Sequence, residues 1–199
     1  VVTSVLMNKT SGASNTQLGL DIDGKAAGDH FGTRVSLSSD GSRVAIGGDL
    51  STVNIFTTTP SGSKGTGYVR VYDYNGSAWV QVGGEIGAEA AHDFFGASVS
   101  LSSDGSKLAI GAPGYDGNSN YSVVGNVRIF QYQVISGTAT WTQLGADIDG
   151  EAAGDSSGAS VSLSSDGSRV AIGAPFNDGN GSDSGHVRIY DYNGTAWGQ

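Results

Sequence analysis

The sequence predicts an all-β protein made of β-propeller blades, three four-stranded antiparallel sheets of about 63 residues each. Three observations carry this: a long internal repeat, period-2 patterning inside each copy, and a glycine content suited to tight turns. Val35-Ser-Leu-Ser-Ser-Asp-Gly-Ser-Arg-Val-Ala-Ile-Gly47 recurs unchanged at Val161 to Gly173, and Val99 to Gly111 differs only at Lys107 and Leu108. The Asp-Gly pairs at Asp40, Asp104 and Asp166 are spaced by 64 and 62 residues. Glycine supplies 33 of the 199 residues against 3 prolines, more than double the usual share of about 7%. No Gly-X-Y period accompanies it, which excludes collagen.

Four strands are predicted per copy. In the first, Arg34 to Ser38 alternates Val and Leu with polar residues, the period of a strand. Ser39-Asp-Gly-Ser42 then reads as a tight turn, because Gly tolerates positive φ and Asp bonds its own backbone. Arg43 to Ile46 and Tyr68 to Tyr72 are the second and third strands. Asn75-Gly76 turns the chain into the fourth, Ala78 to Val82. No apolar 3.6-residue period exceeds one turn, so no helix is expected. A sheet of this size cannot bury both faces alone, so blades stack around an axis. A β-solenoid is the alternative, but its rungs are usually shorter. The predicted divisions are a lead-in with an outer strand at 1–19, then blades at 20–83, 84–145 and 146–199. Closed propellers use about four to eight blades, so three are expected to belong to a longer array or to associate with other copies.

Charge narrows the function. Ten Lys and Arg against 19 Asp and Glu give a net of −9, which disfavours a phosphate-tracking nucleic-acid binder or an anionic membrane surface. No apolar run is long enough to span a bilayer. Val1 to Leu6 lacks the basic start and long apolar stretch of a secretion leader. The absence of Cys removes thiol and Cys-zinc chemistry.

Each copy resembles an FG-GAP repeat, the blade of the integrin α-subunit propeller. Phe95-Gly96 followed by Gly111-Ala112-Pro113 shows the full pattern. Phe31-Gly32 pairs with a degenerate Gly47-Gly48-Asp49, and Ser157-Gly158 lacks the Phe but keeps Gly173-Ala174-Pro175. The hairpin followed by Val-Arg-Val-Tyr also resembles a WD-type blade. The resemblance implies extracellular or cell-surface ligand binding and adhesion without catalysis, often with Ca²⁺ in Asp-rich loops. This chain departs there, because Ser-Ser-Asp-Gly-Ser between the first two strands is too short for a carboxylate cage.

Antiparallel alternation sorts the acids by side. Fourteen of the nineteen fall in the links between fourth and first strands or between second and third, with Lys25 and Lys64 the clear bases there. That side is expected to be an acidic binding face. Hard cations take six to eight oxygens, so Ca²⁺ is a candidate at Asp21, Asp23 and Asp29, at Asp147, Asp149 and Asp155, and at Asp178, Asn180 and Asp183. The alternative is that these residues only form turns. Val53, Ile55 and Phe56, in the longest link, are candidate partner contacts. Asn8, Asn75, Asn120, Asn180 and Asn193 lie in N-glycosylation sequons.

Arg70, Arg128 and Arg188 are expected to pair with backbone or Asp groups between blades rather than with a ligand. Trp79, Trp141 and Trp197 are expected to pack between blades, although a sugar-stacking platform would make the chain a lectin-like propeller. His30, His92 and His186 occupy different repeat positions and cannot form one repeated metal site. The Ser-x-Asp-Gly turn is similar to a sialidase Asp box but lacks its later Gly and aromatic. Equivalent surfaces repeated three times suit multivalent contact with a protein or glycan ligand, whereas catalysis needs different residues in particular roles.

Overall fold

The structure is a computed structural model, which describes residues 16–48, 67–90, 92–114 and 123–199. Among the described residues no helix forms, and the strands make three antiparallel sheets. In the first sheet β1 (Arg34–Leu37), β2 (Arg43–Gly48), β3 (Tyr68–Tyr74) and β4 (Trp79–Gln81) lie in chain order, and β5 (Ile86–Gly87) pairs with β3 beyond β4. The second holds β6 (Ser98–Leu101), β7 (Lys107–Ala112), β8 (Asn126–Ile135), β9 (Thr138–Gln143) and β10 (Ile148–Asp149). The third holds β11 (Ser160–Leu163), β12 (Arg169–Ala174), β13 (His186–Tyr192) and β14 (Trp197–Gly198). These are the predicted blades, with strand ends moved by one or two residues.

The short strands β5 and β10 were not anticipated. Strand four runs in two pieces on one edge: β4 covers Tyr72 to Tyr74 of β3, and β5 covers Tyr68 and Val69. Gly83 and Gly145, both at positive φ, make the break. Ile86 and Ile148 then drop into the cores, so two-residue strands bury a side chain each.

Alternation along the strands builds two unlike faces. One face of the first sheet presents Ala45, Val69 and Val71, and the second sheet covers it with Leu101, Leu108, Ile110, Phe130 and Trp141. The second sheet in turn presents Ala109, Val127 and Ile129, which Val170, Ile172 and Tyr190 cover, with Val161 and Leu163 alongside. A face of small and β-branched residues thus meets a face of large ones, and the contact is head to tail.

The motif glycines sit at this contact. A Cβ on Gly47 would collide with the carbonyl oxygen of Gly96 in the next blade, and one on Gly111 with that of Gly158. Gly67 and Gly125 bridge in parallel to Phe95 and Ser157. The Phe-Gly segment of one blade therefore lies against glycines of the preceding one, where only a bare backbone leaves room.

Candidate functional site

The two sets of acidic links share one side of the molecule. Tyr68, which opens β3, donates its hydroxyl to Asp29 in the link before β1 at 2.9 Å. In the third blade Asn177 donates its side-chain amide to Asp155 at 2.8 Å. The first bond joins a link before the first strand to the start of the third strand, and the second joins such a link to the one between the second and third strands, so both ends lie on one side.

On that side the acids divide into two kinds. Asp29, Asp93 and Asp155, at one position of the repeat, are buried; Asp29 and Asp93 accept N–H groups of their own loops, and Asp155 accepts the Asn177 side chain. Asp29 accepts the Lys25 and Ala26 N–H groups at 2.7 and 2.9 Å. Burial pushes the Asp29 carboxyl up, but these N–H donors and the Tyr68 hydroxyl outweigh it and leave it below the usual range. Asp93 accepts the Ala90 N–H at 2.8 Å, but burial outweighs its backbone hydrogen bonds and raises its pKa. Tyr68, buried beside the Asp29 carboxylate, is pushed up to about 12.

The second kind stays at the surface. Asp21 and Asp147 accept Gln17 and Gln143 side-chain amides at 2.8 and 2.6 Å, the same bond in two copies. Asp147 also accepts Asn126 at 3.3 Å. Asp23 and Asp149 are exposed and make no ion pair among the described residues. Partial burial, and then the charges of Asp147 and Glu89, push the Asp149 carboxyl up. The bases on this side neutralise glutamates instead. Lys25 and Arg70 hold Glu85 at 2.7 and 3.1 Å, Arg128 holds Glu89 at 3.2 Å, and Arg188 lies 3.4 Å from Glu151. Of the expected partners, aspartate needs correcting to glutamate, whereas the backbone partner holds for Arg128, which donates to the Gly87 C=O, and Arg188 donates to the Gln199 side chain.

Among the described residues no three His, Cys, Asp or Glu side chains come together as a metal group. Asp29 and Asp155 spend their oxygens on loop contacts, while Asp21, Asp23 and Asp149 are exposed and Asp147 is half-buried. Asp178 accepts the Asp183 N–H at 2.8 Å, and Asn180 donates its N–H to Ser184, so that loop is held by turn bonds. Asp40 in the first hairpin is engaged by the Ser38 hydroxyl and by Ser42, as the short link required. Asn75 and Asn193 are exposed at hairpin tips with Oδ1 accepting backbone N–H groups, which leaves Nδ2 outward. Asn180 is exposed, whereas Asn8, Asn120, Val53, Ile55 and Phe56 lie outside the described residues.

The tryptophans are packing residues. Trp141 is buried under Tyr132 and donates its indole N–H to the Val82 carbonyl of the preceding blade at 3.1 Å. Trp197 and Trp79 repeat this bond to Leu144 and Leu18. A buried and hydrogen-bonded indole offers no open platform, which removes Trp141 as a sugar-stacking surface.

Stacked four-stranded antiparallel sheets joined face to face define a set of β-propeller blades. The family model described as FG-GAP repeat matches residues 88–130 and 146–190, and these stretches are FG-GAP repeats. No curated protein matches the sequence. Among solved structures, the chain is similar to Sqt1 from Chaetomium thermophilum, with 16% identity and a TM-score of 0.48 over 82% of this chain and 33% of that one. It is also similar to hydrazine synthase of Kuenenia stuttgartiensis, with 12% identity and a TM-score of 0.43 over 80% of this chain and 44% of that one. The chain thus spans less than half the length of either structure.

Proposed function

We propose that this chain is a non-enzymatic binding module of the cell surface or extracellular space, which engages a protein partner through its acidic loop side. One observation carries the reading: outward aspartates recur at the same repeat positions, Asp21 and Asp147, Asp23 and Asp149, on loops braced by buried Asp29 and Asp155. Braced loops presenting carboxylates that no base neutralises suit a basic surface patch, and the surrounding field would speed its approach. Ca²⁺ fits as a bridging ion between such carboxylates and a partner, since four outward aspartates supply oxygens but fall short of a closed cage. The FG-GAP family supports binding over catalysis. Asn75, Asn180 and Asn193 would carry glycans at exposed turns.

The test is adhesion of cells to immobilised chain, with and without Ca²⁺, compared with a variant in which Asp21, Asp23, Asp147 and Asp149 are all Asn. The variant is expected to lose binding while keeping its melting temperature. Equal adhesion by both proteins would reject the acidic side as the binding surface.

A further inference from the structure

We propose that two copies of this chain pair edge to edge through β9, joining their second blades into one continuous antiparallel sheet. This does not rest on the acidic-side reading, because the β8–β9 hairpin turns at the opposite end of the strands. Neighbouring blades pack on the faces of a sheet, so they do not cover its rim edge.

The hairpin of the second blade is longer than its counterpart in the first. Tyr74–Trp79 is the last pair before the turn in the first blade, and Tyr132–Trp141 holds the same place in the second. Three more pairs follow there: Gln133–Thr140, Val134–Ala139 and Ile135–Thr138. Ser136 and Gly137, both at positive φ, make the two-residue turn, a geometry that matches strand twist. The result is a six-residue edge strand, against three residues in β4.

The phase of the ladder shows which backbone groups this edge presents. A two-residue turn makes Ile135–Thr138 a pair that exchanges both bonds, and such pairs recur every second residue. The Leu144 N–H bond to the Ile129 C=O, at 2.7 Å, keeps that phase. The N–H and C=O groups of Ala139, Trp141 and Gln143 therefore point away from β8, with no backbone partner among the described residues. Natural edges are blunted by brevity, Lys, Pro or a bulge. β9 has none of these, since it reads Thr-Ala-Thr-Trp-Thr-Gln and runs in unbroken register with β8.

Charge selects a second copy as the occupant. The chain carries a net of −9, so like copies repel over most of their surface. No charged residue lies between Arg128 and Asp147, the longest such gap in the sequence. Two copies meet there without like-charge repulsion, and a basic partner finds no countercharge. The edge also complements itself. A two-fold axis through Trp141 sets Ala139 opposite Gln143 of the second copy, so every outward N–H and C=O gains a partner. The same register sets Thr140 opposite Thr142 of the second copy, a favourable cross-strand pair.

Sedimentation of the 199-residue chain is expected to show a concentration-dependent dimer of about 40 kDa, twice the 20.1 kDa chain. Amide exchange at Ala139, Trp141 and Gln143 should slow as protein concentration rises. Thr140→Lys with Thr142→Lys sets like charges opposite each other and should leave a monomer with the wild-type circular dichroism spectrum. Thr140→Lys with Thr142→Glu sets opposite charges there and should restore the dimer. A wild-type chain that stays monomeric up to its solubility limit overturns the proposal and leaves the edge to a strand of another protein. So does a dimer that survives the Lys pair, or a Lys–Glu variant that stays monomeric.

Discussion

Single residues in this protein are constrained by what the next blade puts against them. Gly111 has the Gly158 carbonyl above it, whereas Gly173, at the same repeat position, has only the hydroxyl of its own Ser160. Gly111→Ala should therefore cost about 1–3 kcal/mol through overpacking, and Gly173→Ala far less, as read by urea denaturation of the 199-residue chain. Carboxyls in the hairpins give a pH signature. Ser38 and Ser42 lower the Asp40 pKa from 3.8 to about 2, and the same serine positions lower Asp104 and Asp166. A carboxyl more acidic when folded contributes stability that is complete above the unfolded value and is lost as pH falls through the folded one. Melting temperature should drop between pH 3.8 and about 2, and an Asp40→Asn, Asp166→Asn variant should flatten that drop. Asp93, raised by burial, has the opposite sign and favours folding below its unfolded value.

Strands differ according to whether both faces of their sheet are covered. The second blade is sandwiched, and β7 and β8 are its most buried elements. The equivalent β13 alternates buried or half-buried with exposed residues, because its small-residue face is open. In the 199-residue chain, amides of β7 and β8 should exchange with solvent more slowly than those of β13. Comparable protection at all three positions would show that sheet stability does not depend on the neighbour. Trp141 ties the fourth strand of the second blade to the first blade, so Trp141→Ala should lose about 3–5 kcal/mol. Trp141→Phe, which keeps an aromatic ring but drops the bond to Val82, should lose about 1 kcal/mol. Period-2 alternation and the Asp-Gly and Asn-Gly turns were enough to place the four main strands. They could not place β5 and β10, because Ile86-Gly87 and Ile148-Asp149 are too short to show a period and exist only by pairing with an edge already formed.

At the scale of the whole molecule, the proposed binding by the acidic side is separate from the packing at the blade junctions. If the outward aspartates bridge a divalent ion, millimolar Ca²⁺ should raise the melting temperature and EDTA should lower it; identical melts would remove any structural role for the ion. Repetition in the chain was sufficient to establish three equivalent sheets and to collect the acids on one side, because antiparallel strands send alternate links to opposite ends. Repetition could not separate Asp29 from Asp21 and Asp23, since all are aspartates in one loop. Only the closed loop shows that Asp29 turns inward to the Lys25 and Ala26 amides while the other two stay outside. The head-to-tail junction was likewise invisible in the residues taken one copy at a time. Gly47 and Gly96 are members of a short motif in the chain, and their shared reason appears only when folding brings backbones nearly fifty positions apart into contact. Local chemistry sets turns and strand period within a few residues, but which face meets which depends on non-local packing that no short stretch encodes.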